Sequence, residues 1–220
     1  GNDRIEGNSG DDTLKGGEGN DQIEGISGNN TIIGDDGDDT LNGGSGNDSI
    51  DGGEGADLIG GNAGDDIILG GAGNDGIAGD EGSDTITGGA GSDAITGGEG
   101  ADIFRFTSIA DGGAVSSNVT RGTVSGDTYG EFGPGVDQFQ FLSSAFGNLS
   151  TGTLLANNFS NLSAAAYNGT NSQRSGAVFI YDNTNTLYFD PDTSVAGYTV
   201  IAQTQSQISV AFSDIDIAAS

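Results

Sequence analysis

From Ile5 to Phe104 a hydrophobic residue recurs at every ninth position: Ile5, Leu14, Ile23, Ile32, Leu41, Ile50, Ile59, Ile68, Ile77, Ile86, Ile95 and Phe104. Not one of these positions is polar. The period is too long for an amphipathic helix and too regular for a loop, so it reads as one inward side chain per short strand. Between the hydrophobes the chain is glycine and aspartate. Gly43-Gly44-Ser45-Gly46-Asn47-Asp48-Ser49-Ile50-Asp51 is a complete block, with glycine at positions one, two and four, aspartate at six and the aliphatic at eight. Eleven such blocks run from Gly7 to Arg105, after a partial copy, Gly1-Asn2-Asp3-Arg4-Ile5-Glu6.

A three-residue strand and a six-residue glycine turn would reverse the chain once per block, because glycine reaches positive φ at little cost. Two blocks then close one coil, and the strands stack into two parallel sheets. One sheet points Ile5, Ile23, Leu41, Ile59, Ile77 and Ile95 inward, and the other Leu14, Ile32, Ile50, Ile68, Ile86 and Phe104. At about 4.8 Å between strands, six coils rise roughly 25 Å. The fold class expected is all-β: a right-handed parallel β-roll over residues 1–105, followed by a β-rich capping region over 106–220.

That geometry lines up the turns along two edges. Asp3, Asp21, Asp39, Asp57, Asp75 and Asp93 stack on one, and Asp12, Asn30, Asp48, Asp66, Asp84 and Asp102 on the other. Carbonyls from the glycine loops join them, among them those of Gly17, Gly19 and residue 35, where aspartate (Asp35) fills the second-glycine slot. An all-oxygen shell of six or more ligands suits Ca2+; zinc and copper prefer nitrogen or sulfur, and Mg2+ a tighter octahedron. Five gaps per edge allow at most ten ions. Asn30 keeps an oxygen but loses the charge, so the two gaps beside it are expected to be weak and about eight ions to bind well.

Charge adds a reason for metal. The chain carries 33 acids against 5 bases, for a net charge of −28, and 24 of the acids lie in residues 1–105. Such a surface repels itself and has no basic stripe for nucleic acid or an anionic membrane. No apolar run is long enough for a helical membrane span. Cysteine and histidine are absent, which removes disulfides, thiolate sites and the usual nucleophiles and bases. A phosphate-cradling loop would want lysine beside the glycines, and an ice-binding ladder would want stacked Thr-x-Thr, which only Thr85 and Thr87 supply.

These blocks resemble the repeats-in-toxin, or hemolysin-type calcium-binding, family of exported bacterial proteins. The resemblance implies that calcium is held by the sixth-position aspartates and loop carbonyls, with Asn30 departing from the pattern. It also implies a chain that stays unfolded at low cytosolic calcium, leaves by type I secretion and folds outside the cell.

Beyond Arg105 glycine thins and alternation returns. Strands are expected at 136–141, 198–201 and 208–212, a hairpin at 178–181 and 186–189, and short helices at 154–158 and 162–167. The Tyr-Asp, turn, Leu-Tyr-Phe-Asp order and the ending Phe212-Ser213-Asp214-Ile215-Asp216-Ile217-Ala218-Ala219-Ser220 resemble the segment that follows the repeats in that family, where the C-terminus is the signal read by the type I machinery. Residues 106–220 are expected to fold back on the small, apolar outward residues of the later coils, such as Leu58, Ala78 and Ala94.

The leading reading is a non-catalytic calcium module supporting secretion and folding of a larger extracellular protein. The start in mid-repeat without methionine is expected of a piece cut from such a protein. Asp190 and Asp192 form a carboxylate pair only on paper, since Asp190-Pro191-Asp192 reads as a turn. The alternative is a surface-layer, adhesive or polysaccharide-binding protein that uses the calcium-loaded roll as its working surface. The tail of a secreted protease, lipase or epimerase is compatible with the first reading.

Overall fold

The computed structural model describes residues 1–107 in full. Beyond them it describes the backbone of the strands between Val115 and Ala218. Each block contributes one strand. β1 (Arg4–Glu6), β3 (Gln22–Glu24), β5 (Thr40–Ser45), β7 (Leu58–Ala63), β9 (Gly76–Glu81) and β11 (Ala94–Glu99) pair in that order in one sheet. β2 (Thr13–Glu18), β4 (Thr31–Asp36), β6 (Ser49–Glu54), β8 (Ile67–Ala72), β10 (Thr85–Ala90) and β12 (Ile103–Phe106) form the other.

All these pairings are parallel and shifted by eighteen residues. Ile5 faces Ile23, Ile23 faces Leu41, and Ile32 faces Ile50. The hydrophobic ladder is therefore the core: from Ile23 to Phe104 its members are at most 3% exposed, and Phe106 is fully buried beside them.

The strands are longer than the three residues expected. From β4 to β11 each runs for six residues and each turn for three, Gly-x-Asp at positions four to six. The reason is the first glycine. It has an ordinary φ and faces inward like the aliphatic two residues before it, so it belongs to the strand. Positive φ falls at positions two and four. In the Gly43 block these are Gly44 (φ 105°) and Gly46 (φ 118°). β1 and β3 stop at three residues where positions two and three are Asn8-Ser9 and Ile26-Ser27. There the pairing thins to single bridges, Ser9 to Ser27 and Ser27 to Ser45.

The second half continues both sheets from their ends. β13 (Val115–Ser116), β14 (Asp127–Gly130), β17 (Phe159–Leu162), β18 (Val178–Asp182), β19 (Thr186–Asp190) and β20 (Tyr198–Thr204) join the first sheet through β14 on β11. β15 (Gln138–Leu142), β16 (Gly152–Thr153) and β21 (Ile215–Ala218) join the second through β15 on β12. β18 and β19 form the antiparallel hairpin read from the sequence.

The strand expected at 208–212, the helix at 154–158 and all of the helix at 162–167 but its first residue fall outside the described residues, and that first residue, Leu162, ends a strand instead. The outward face expected to be covered is open at Leu58, which is 61% exposed, and at Ala94, and Ala78 is half-buried. The added strands lie against the last edge of each sheet, where unpaired backbone groups would otherwise invite another chain.

Candidate metal sites along the two edges

The turn aspartates are nearly all interior residues. Asp21, Asp39, Asp48, Asp57, Asp66, Asp75, Asp84, Asp93 and Asp102 are at most 3% exposed, Asp12 is half-buried and Asp3 is exposed. Their two carboxylate oxygens have different surroundings. Oδ1 accepts a hydrogen bond from the backbone N–H of the position-six residue one coil earlier. Asp21 N donates to Asp39 Oδ1 (2.7 Å), Asp39 N to Asp57 Oδ1 (2.8 Å) and Asp48 N to Asp66 Oδ1 (2.7 Å). Oδ2 is buried without a hydrogen-bond partner in Asp12, Asp21, Asp39, Asp48, Asp57, Asp66, Asp75 and Asp84.

These oxygens are aimed at other acceptors. A Cβ placed on Gly7 would stand 2.9 Å from Asp12 Oδ2 and 2.9 Å from the Gly25 carbonyl of the next coil. The equivalent point at Gly61 is 2.8 Å from the Gly79 carbonyl and collides with Asp66 Oδ2. The first glycine thus leaves room at a place where carboxylate and carbonyl oxygens converge with no donor between them. Buried acceptors left this way are costly, and a cation satisfies all of them together.

Burial already disfavours the charge on six of these carboxylates. Desolvation, partly offset by the backbone hydrogen bond and reinforced by neighbouring aspartates, raises Asp66 to about 7 and Asp75 and Asp84 to about 6. Asp39, Asp48 and Asp57 are raised for the same leading reason. The bases of the first coils sit elsewhere. Arg4 pairs with Glu6 (2.6 Å) and Glu24 (3.3 Å), and Lys15 with Asp35 (2.7 Å), on the outward faces.

The sequence-predicted donors fall into two groups. Gly19 is at position four, in the turn. Gly17 and Asp35 are at position two, inside the ladder, where Gly17 pairs with Asp35 and Asp35 with Gly53. At the same position the Ile26 carbonyl accepts from Ser45 N at 3.1 Å.

Position five, which varies among asparagine, aspartate, serine and alanine, carries a second ladder. Asn29 N donates to Asp11 Oδ1 (2.8 Å), Asn47 N to Asn29 Oδ1 (2.8 Å) and Ser83 N to Asp65 Oδ1 (2.8 Å). This ladder runs opposite to the aspartate ladder, each side chain accepting from the following coil. The signal was the excess of Asn, Asp and Ser just before the aspartate, which a single block does not reveal.

Among the described residues no three carboxylates gather into a metal-binding cluster. A cation in these gaps therefore relies on backbone carbonyls to complete its shell. The donors are hard oxygens throughout, which fits Ca2+.

The model of the RTX calcium-binding nonapeptide repeat matches residues 1–32, 24–59, 49–77, 56–86 and 70–104. No curated protein matches the chain. Among solved structures, a subunit of the Azotobacter vinelandii mannuronan C5-epimerase aligns at 22% identity and TM-score 0.36. The alignment covers 96% of this chain and 80% of that one. An extracellular lipase from Serratia marcescens aligns at 14% identity and TM-score 0.29 over 95% of this chain, which spans 38% of the lipase.

Proposed function

Residues 1–104 belong to the RTX calcium-binding nonapeptide repeats, and from that premise we propose that the chain is a calcium-triggered folding module of a larger secreted protein. RTX nonapeptide repeats bind calcium, and this stretch is a calcium-binding solenoid rather than a catalytic fold. The observation that carries the proposal is the row of buried Oδ2 atoms facing glycine carbonyls. Calcium, when bound, supplies the positive charge that lets these oxygens sit together.

The chain's own residues do the rest. The sixth-position aspartates each offer Oδ2 to one gap and use Oδ1 to tie down the preceding turn. The position-one carbonyls of the next coil meet Oδ2 at the same point, and the position-four carbonyls, Gly19 among them, are the further oxygens assigned to the shell, as the Gly28 carbonyl joins that of Gly43 at Asn30. The inward glycine keeps that point clear. Without the ion the carboxylates repel one another, and one aliphatic side chain per strand is a thin core to set against chain entropy. Binding free energy thereby becomes folding free energy. In low calcium such a chain stays unfolded and threadable, as passage through a type I exporter requires, with the C-terminal residues as the export signal.

Titration calorimetry with Ca2+, Mg2+ and Zn2+ tests the metal assignment. The expected result is multi-site binding of Ca2+, with Mg2+ at least tenfold weaker and no comparable Zn2+ uptake. Equal binding of Mg2+, or no binding of Ca2+, refutes it. The export claim predicts that a chain lacking its last fifty or so residues still binds calcium but is no longer secreted by a host with a type I apparatus. Undiminished secretion would remove that part of the proposal.

A further inference from the structure

Asn30 interrupts the aspartate column of the second edge, and its surroundings differ from those of its neighbours in one respect. Its Oδ1 behaves as the aspartates do, accepting from Asp12 N at 3.1 Å. Its other terminal atom is an amide nitrogen, which donates to the Gly28 carbonyl (3.1 Å) and to the Gly43 carbonyl (3.4 Å). Gly28 is at position four of the same turn, and Gly43 at position one of the next coil. The nitrogen stands 2.5 Å from where a Cβ on Gly25 would lie, the same place that Asp12 Oδ2 takes beside Gly7.

We infer that the Asn30 side chain closes the gap between coils 30 and 48 by itself, so that this gap takes no calcium, whereas the gap between 12 and 30 takes one. An amide N–H bridging two carbonyls does what the cation does elsewhere: it supplies positive charge to converging acceptors, and its own oxygen stays in the ladder. A calcium ion there would have to displace both hydrogen bonds and would find a neutral ligand.

The gap below is different, although the same residue borders it. Its inward oxygen is Asp12 Oδ2, buried and unpartnered, and Asn30 enters it only through the Oδ1 that every aspartate supplies at that place. Direction along the stack therefore matters, and a single Asp-to-Asn change removes one site rather than two. The roll then holds at most nine ions, and edge two begins with one calcium gap, one hydrogen-bonded gap and three calcium gaps.

This inference rests on the calcium reading above, and ion counting separates the two. Native mass spectrometry of the full chain in excess calcium gives the number of tightly bound ions. Asn30→Asp should bind one ion more than the parent, because Oδ2 replaces the donor. Asp12→Asn should bind one fewer and still fold, because its amide reaches Gly10 and Gly25 as Asn30 reaches Gly28 and Gly43. Equal counts for the parent and Asn30→Asp overturn the inference while the calcium reading stands. Should Asn30→Asp fail to fold, a count unchanged in Asp12→Asn overturns it independently. A parent chain that binds no calcium overturns both.

Discussion

Ile26 is the least comfortable residue of the roll. It holds φ at 79° in a slot where most blocks have glycine, and it is 44% exposed, so little packing offsets the strain. A β-branched residue in the left-handed region costs about 1–2 kcal/mol. Ile26→Gly is therefore expected to stabilise the calcium-loaded chain by about 1 kcal/mol, read as a higher urea midpoint at constant m value; a lower midpoint would contradict the backbone assignment. At the aspartates, the two oxygens of Asp57 serve two functions. One accepts from Asp39 N at 2.8 Å and the other lies buried and orphaned. Asp57→Ala should accordingly weaken calcium binding by tenfold or more, whereas Asn30→Ala should cost stability with little change in affinity. Calorimetry on the pair checks this, and the reverse order would sink the edge assignment.

At the scale of one coil, a strand, a turn and its ladders act together. Gly52 faces inward, and a Cβ there would lie 2.5 Å from Asp57 Oδ2. Gly52→Ala should then cost about 1–3 kcal/mol, the usual range for overpacking, and weaken the calcium site beside it. Urea denaturation in saturating calcium reads the first effect, and wild-type stability would show that the inward glycine is not needed for room. The position-five ladder has a fault at Ala56, which cannot offer an oxygen to Asn74 N as Asp38 does to Ala56 N (2.9 Å). Ala56→Asn should restore that rung and add about 0.5–1 kcal/mol.

Coil-level features were unevenly legible in the sequence. The column of aliphatics and the column of aspartates could be read directly, because one residue type repeats at one position. Strand length could not, because an inward glycine that belongs to a strand looks the same in sequence as a turn glycine. The Asn30 amide bridge was also hidden. Asparagine reads as a weakened ligand until the Gly28 and Gly43 carbonyls are placed beside it.

Across the whole molecule the controlling quantity is charge: −28 overall, with buried Asp66 pushed up to about 7 and Asp75 and Asp84 to about 6 by desolvation. A carboxyl whose folded pKa lies above its unfolded value near 3.8 takes up protons on folding. Its contribution to stability is present in full below about pH 4 and is lost as pH rises through 6 to 7. In chelator the chain should be more structured at pH 5 than at pH 8. In calcium the dependence reverses, because protons and calcium compete for Asp66, Asp75 and Asp84, so calcium affinity should fall between pH 8 and pH 5. Circular dichroism and calcium titrations at the two pH values report both trends, and a pH-independent affinity would contradict them.

The claim that metal binding is folding is tested most directly by circular dichroism of the full chain at pH 7.5, taken from excess chelator into millimolar calcium. A disordered spectrum is expected in chelator, with a cooperative gain of β-structure as calcium rises that is reversed by adding chelator again. A chain already fully β-structured in chelator at that pH would contradict it.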